Sequence, residues 1–267
     1  METGKFRSVI RSHFRKHGRI FPWRENLDPW GILVSEFMLQ QTQTERVIPY
    51  WTRWMKKWPC PGDLARASLE EVLREWSGLG YNRRAKHLKA AAECIYNEFD
   101  GRVPAAPEEL KILSGVGNYS AGAIACFAYN YPALFIETNI RTVFIHFFFP
   151  ERDPVSDSDI FPVLEKTLDR KNPRTWYWAL MDYGAWLKKS TVNPGRKSSA
   201  YTRQSPFKGS LRQTRGKVLR ALVSRGPLRA DDLYHAAGTE KESLMKALDA
   251  LKADQLVAEK EGLYSIP

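Results

Sequence analysis

The sequence predicts a mainly α protein that closes with a small mixed unit, and three observations carry the prediction. Apolar residues recur at helical spacing along most of the chain, Pro and Gly punctuate the gaps between those runs, and only the last dozen residues shorten into apolar runs around a polar turn. At 267 residues the chain exceeds one typical core, and its 9 Trp, 13 Phe and 11 Tyr supply apolar bulk for a large unit plus a small one.

The first clear run is Val34 to Trp54, with Phe37, Leu39, Val47, Ile48, Trp51 and Trp54 at helical spacing. Leu64 to Trp76, Arg83 to Glu98 and Pro107 to Leu113 repeat the pattern. Leu113 to Ile124 reads as a helix end, a tight hairpin and a new helix, a helical run that ends in Ala133-Leu134-Phe135-Ile136. From Thr191 to Gly209 the periodicity gives way to Asn193-Pro194-Gly195, serines and cations, as in a linker or exposed loop. Leu211 to Ser224, Ala230 to Ala237 and Lys241 to Ala253 then predict three short amphipathic helices. Leu256-Val257-Ala258 and Leu263 to Ile266 predict two strands around a charged turn. Three helices and a hairpin resemble a winged helix. The expected division is a domain over 1–190, a basic linker or loop over 191–209 and a winged-helix-like domain over 210–267.

Forty-one Lys and Arg against 30 Asp and Glu leave a net charge of +11 and a pI near 9.5, which favours a polyanionic partner. The excess is segregated, because no acid lies between Asp182 and Asp231 while Lys and Arg recur from Lys188 to Arg229. Glu240 and Glu242 beside Lys241 and Lys246 make the last predicted helix too mixed in charge for a strong DNA reader, so the small domain is open between DNA and protein contact. Met1 to Arg7 lacks a signal peptide's apolar run, and no stretch approaches the ~20 apolar residues of a membrane span. The expectation is an intracellular monomer without a membrane partner, cytoplasmic or nucleoid-associated, or nuclear in a eukaryote. Cys60, Cys94 and Cys126 are scattered and form no C-x-x-C pair, which predicts buried free thiols rather than disulfides or a zinc site.

Leu113-Ser114-Gly115-Val116-Gly117-Asn118-Tyr119 concentrates the chemistry. A lone Gly-Val-Gly is most often a plain interhelical turn, yet two glycines here permit backbone angles that a Cβ resists and bare the amides at the start of the next helix. Such a turn cradles phosphate. Twenty residues beyond Gly117 stands a single carboxylate, Glu137, followed by Thr138 and Asn139. A phosphate clamp leading into a carboxylate resembles the helix-hairpin-helix DNA glycosylases, the superfamily of the MutY adenine glycosylases and endonuclease III. Phe21-Pro22-Trp23-Arg24, Asp28-Pro29-Trp30, Ser35 to Gln43 and Gly78-Leu79-Gly80-Tyr81 with Arg83, Arg84 and Ala85 match the MutY pattern. In order with the hairpin, these segments cover residues 20 to 187.

The resemblance implies a two-lobed helix-hairpin-helix glycosylase fold and, as partner, double-stranded DNA carrying a mispair or lesion. Base removal breaks an N-glycosidic bond while positive charge grows on the sugar, so one group must protonate the leaving base and a carboxylate must stabilise the sugar or position water. The flipped base enters a pocket where desolvation can raise a carboxyl pKa toward neutrality. Glu36 stands where the MutY family keeps the glutamate that protonates the purine. Glu137 stands where the superfamily keeps a catalytic aspartate, one methylene shorter. Tyr119 occupies the position of the lysine in bifunctional relatives; a phenol forms no Schiff base, so a monofunctional enzyme without lyase activity is implied. By the same resemblance Arg24, Leu39 and Asn139 line the base pocket, Gln41 and Tyr81 wedge into the stack beside Thr42, and Gly115, Val116 and Gly117 hold a phosphate.

Two departures matter. In MutY and endonuclease III the stretch matching Asp182-Tyr183-Gly184-Ala185-Trp186-Leu187-Lys188 begins a four-cysteine loop around an iron–sulfur cluster, but no cysteine follows Cys126 here. No metal or other cofactor is expected, and Lys188, Lys189, Arg196 and Lys197 are expected to contact phosphates instead. After residue 210 the chain carries the winged-helix-like unit rather than the domain with which MutY proteins inspect 8-oxoguanine. The implied function is a monofunctional base excision repair glycosylase removing adenine opposite 8-oxoguanine or guanine. The alternatives are a thymine or uracil mismatch glycosylase and a catalytically weak damage-binding protein.

Overall fold

The computed structural model describes residues 1–203 and 206–267; within the expected linker over 191–209, Gln204 and Ser205 lie outside the described residues. The chain forms two compact units. One comprises Met1–Ile32, Pro104–Ile112 and Val116–Arg203, and the other Leu33–Val103, Leu113–Gly115 and the described residues from 206 onward.

The first unit is built from helices Thr3–His17, Pro22–Glu25, Pro107–Leu110, Asn118–Tyr129, Thr138–Phe148, Asp157–Thr167 and Pro173–Ser190, together with the first residues of Pro29–Leu39. Phe6 and Ile10 are fully buried and insert the N-terminal helix into a core made by residues far away in sequence. The Phe6 ring meets Phe144 at 5.5 Å and Trp176, edge-on, at 5.8 Å. Each such buried side chain contributes ~1.5–3 kcal/mol, enough to fix the helix without good caps. Asp157–Thr167 starts from a capping box between Ser156 and Asp159. Helices Thr138–Phe148 and Pro173–Ser190 approach so closely at Gly184 that a Cβ there would lie 2.3 Å from the Asn139 carbonyl oxygen.

The helical run expected to reach Ile136 stops at Tyr129. Asn130 takes the left-handed conformation at φ 57°, which asparagine tolerates, and its Oδ1 accepts the Arg174 amide at 3.1 Å. Ala133 to Ile136 are not helical and lead directly to Glu137. Similarly, the run from Pro107 to Leu113 shortens to a helix over Pro107–Leu110 followed by turns.

The second unit receives the last residues of helix Pro29–Leu39 and adds Thr44–Lys57, Pro61–Arg66, Leu69–Trp76 and Arg83–Glu98. The single run read from Val34 to Trp54 is therefore two helices, broken where Gln41 adopts φ 54°. Trp54, Trp58 and Trp76 form an edge-on cluster with centroids 4.6 and 5.5 Å apart. The C-terminal part contributes helices Leu211–Arg225, Ala230–Ala237 and Lys241–Ala253 and strands Leu228–Arg229, Ala258–Lys260 and Leu263–Ser265. Its strands pair antiparallel with Leu263–Ser265 in the centre, the arrangement of a winged helix. The first strand, two residues long, is too short to show alternation in the sequence. Helix Leu211–Arg225 also packs on helix Leu69–Trp76, so this part shares a compact unit with residues 33–103.

Of the three cysteines expected to be buried, only Cys126 is; Cys94 is half-buried, and exposed Cys60, the residue before helix Pro61–Arg66, donates its thiol to Asp63 at 3.0 Å. No helix among the described residues is long and apolar enough to cross a membrane.

Candidate active site

Glu137 caps helix Thr138–Phe148. Its Oε1 accepts the amides of Asn139 at 2.7 Å and Ile140 at 2.9 Å, and its Oε2 accepts Asn139 Nδ2 at 3.2 Å. The longer side chain thus folds back to make the cap that an aspartate makes directly, using amides that every helix leaves unsatisfied. Lys188 donates to Asn139 Oδ1 at 2.8 Å. Burial pulls the Lys188 ammonium below the usual lysine range, against the opposing pull of Glu137, with Arg141 lowering it further. Glu137, Asn139 and Lys188 therefore form one chain of contacts, which holds the half-buried Lys188 ammonium beside the start of helix Thr138–Phe148. Half-buried Tyr119 packs against Phe135, edge-on at 5.8 Å.

Arg24, expected at the base pocket, is committed to a buried carboxylate. The Asp182 side chain is 1% exposed and accepts Arg24 Nη1 at 2.9 Å, Arg24 Nη2 at 3.0 Å, and the Arg19 amide and Nε at 2.8 Å each. The Arg24 guanidinium also lies 4.9 Å from the Phe21 ring and 5.2 Å from Trp178. Four donors on one carboxylate satisfy a charge that would be costly to bury alone.

The loop that follows does not fit an iron–sulfur cluster, because a cluster needs cysteine thiolates and none lies beyond Cys126. Hydrogen bonds to and from its backbone hold it instead. The Val155 amide donates to Lys197 O at 2.8 Å, the Ser199 amide to Val155 O at 2.9 Å, and the Gly195 amide to Asn193 Oδ1 at 2.9 Å. Lys197 donates its ammonium to Pro150 O at 2.5 Å, while Lys189 and Arg196 are exposed. Among the described residues no three His, Cys, Asp or Glu side chains are grouped to hold a metal ion.

In the second unit Glu36 is 6% exposed, on a helix whose neighbouring residues Leu33, Val34, Phe37 and Met38 are all buried. A helix apolar on every side belongs in a core, and a carboxyl placed there is a chemical exception to its surroundings. The end of this helix is held by Arg84, which is also buried. Its Nη1 donates to the carbonyls of Phe37 at 2.9 Å, Met38 at 2.8 Å and Gln40 at 2.6 Å, and its Nη2 to Thr42 Oγ1 at 3.0 Å and Gly80 O at 2.9 Å. Burial lowers its pKa to about 10, where it remains a cation at neutral pH. Gln41 and Tyr81, the two expected wedges, both take left-handed backbone, at φ 54° and 48°. Arg84 binds the chain on both sides of Gln41 and again beside Tyr81, which offsets that strain. Leu39 is half-buried at the same helix end.

The two hairpin glycines do different things. Gly115 has φ 79°, and a Cβ would meet His87 Cβ at 2.7 Å and Phe37 at 2.9 Å. Gly117 has ordinary extended angles and nothing within 4 Å, so the expectation that both glycines serve unusual backbone angles holds only for Gly115. Gly117 caps helix Asn118–Tyr129 without a side chain, which opens the first-turn amides to an acceptor from outside. Buried Val116 anchors the turn, and His87 Nδ1 lies 2.8 Å from Ser114 Oγ. Arg84, Asp182 and His87 were not singled out in the sequence. Arg84 and Asp182 stand inside matching segments, but a charged residue beside a glycine-rich turn, or one within a helix, does not by itself announce burial.

Residues 34–165 match the HhH-GPD superfamily of base excision DNA repair proteins. An adenine DNA glycosylase of Mycobacterium tuberculosis is 35% identical over 282 residues, spanning 95% of this chain and 91% of that protein. Among solved structures, a thermostable thymine-DNA glycosylase has a TM-score of 0.64 at 25% identity, covering 72% of this chain and 90% of its own. A trapped endonuclease III–DNA covalent intermediate has a TM-score of 0.59 at 17% identity, covering 78% and 91%. The fold expected from the sequence is therefore that of the helix-hairpin-helix base excision DNA repair proteins, to which this chain belongs. Within that superfamily it belongs to the MutY-like adenine DNA glycosylases.

Proposed function

We propose that this protein hydrolyses the N-glycosidic bond of adenine mispaired with guanine or 8-oxoguanine in double-stranded DNA, without strand cleavage and without an iron–sulfur cluster. The observation that carries the reading is the contrast between two carboxyl groups, Glu36 buried in an apolar helix and Glu137 held as an acceptor by three N–H donors. Glu36 protonates the departing purine. Glu137 faces the positive charge that grows on the sugar, or positions the attacking water, and its cap fixes where that charge is met. Gly117 and the first-turn amides take a phosphate of the lesion strand. Tyr119 offers no amine, so no Schiff base forms with the sugar and no strand cleavage follows from one.

Adenine is favoured over thymine because a purine leaves more readily once protonated on N7, which gives a buried acid a task that a pyrimidine does not need. The thymine-DNA glycosylase of similar fold motivates the second reading, a G·T or G·U mismatch enzyme. Single-turnover base release from duplexes with A·8-oxoG, A·G, G·T and G·U decides between them. Adenine should be released faster from both of its duplexes. Faster release of thymine or uracil establishes the second reading, and tight lesion binding with no release establishes a damage-binding protein.

A further inference from the structure

Two hollows in the second unit share walls drawn from distant parts of the sequence. One, of about 420 Å³, is lined by Gln41, Tyr81, Arg46, Arg212 and Arg220 among others. The other, of about 390 Å³, has Gln41, Tyr81, Arg83, Arg84, Arg212 and Arg215 in its walls. Among the described residues no Asp or Glu lines either. Arg212 belongs to both and stands on helix Leu211–Arg225, the first helix of the winged-helix part. Its Nη1 donates to the Tyr81 hydroxyl at 2.5 Å, and its guanidinium lies 5.3 Å from the centre of the Tyr81 ring. Arg215 and Arg83 pair with Asp254, which docks this helix, whereas Arg220 is exposed at the rim.

An aromatic ring, arginine forks and a lining without a carboxylate, in a hollow of this size, suit a nucleotide. A base stacks on the ring, and an arginine fork meets a phosphate or the O6 and N7 acceptors of a guanine. The last helix of the winged-helix part has none of this character, since Glu240 and Glu242 begin it. We propose that helix Leu211–Arg225 completes the DNA site, with Arg212 positioning Tyr81 and contacting the purine left unpaired opposite the excised base, and Arg220 meeting a flanking phosphate. The proposal rests on the glycosylase reading above, in which Gln41 and Tyr81 enter the base stack.

The test uses the full chain and a duplex carrying a tetrahydrofuran abasic analogue opposite guanine, compared with the fully paired duplex, so that binding is read without catalysis. Arg212→Ala should lose about tenfold or more in affinity for the abasic duplex, and stay within about twofold on the paired one, if a fork contact to one base is removed. Arg212→Lys, which keeps charge but not the fork, should fall between. A 2-aminopurine placed opposite the analogue should change fluorescence with the wild type and not with Arg212→Ala. Thermal melts confirm that the variants fold. Equal losses on both duplexes, or none, overturn the proposal. An Arg212-dependent preference with no base release from any mispair leaves the proposal standing and removes the glycosylase reading; base release indifferent to Arg212 does the reverse.

Discussion

The guanidinium of Arg84 donates to the carbonyl oxygen of Gln40 at 2.6 Å, immediately before Gln41 enters left-handed backbone. With its bonds to Phe37 and Met38, this contact satisfies carbonyls that the helix carrying Glu36 leaves open at its end. One side chain thus sets both the helix that carries Glu36 and the turn that presents Gln41. Arg84→Ala should therefore destabilise the fold by about 3 kcal/mol or more, because several buried acceptors lose their donor together. Arg84→Lys should rescue only part of this, since an ammonium cannot reach both loops. Denaturant melts check the size of the effect; a loss below about 1 kcal/mol contradicts the clamp.

The two carboxylates should fail differently. Glu36→Gln keeps shape but has no transferable proton, so base release should stop while lesion binding stays near the wild type. Glu137→Gln retains an acceptor oxygen for the Asn139 and Ile140 amides, so melting should shift by no more than ~1 kcal/mol while turnover is lost. Glu137→Asp, which caps a helix more directly, should keep activity. Wild-type turnover by Glu137→Gln would falsify its assignment.

The purified protein should be colourless and free of iron. Three scattered cysteines, of which Cys126 is the last, cannot supply four thiolates to the loop after Lys188. Absorbance in the blue together with stoichiometric iron and sulfide would contradict this.

Stability should fall on mild acidification. Burial, the first cause at both sites, holds His13 and His87 below the ordinary histidine value near 6.5, helped by His17 at the first and by Arg83 and Lys86 at the second. The unfolded chain then binds protons more readily than the folded one, so their contribution is intact above that value and is lost as pH drops below it. Melting temperatures between pH 7.5 and 5.5 should decline, and His87→Gln should flatten the decline. An unchanged slope in that variant would show that His87 is not the sensor.

The sequence by itself determined the helical class, the hairpin and the order of the matching segments, because periodicity, glycine placement and spacing are local properties that survive without the fold; the roles of Glu36 and Glu137 are what the family resemblance implies. It also carries the expectation that no cluster is bound, since thiolates can be counted. Tertiary structure alone decided what the charged residues do. Nothing local separates Arg84, buried on seven oxygen acceptors, from its exposed neighbour Arg83, or half-buried Lys188 from exposed Lys189. The break at Gln41, the helix end at Asn130 and the contact between Arg212 and Tyr81 likewise depend on partners distant in the chain. A long-range hydrogen bond or buried ion pair leaves no period in the sequence, and its energy is decided by which groups the fold removes from water together.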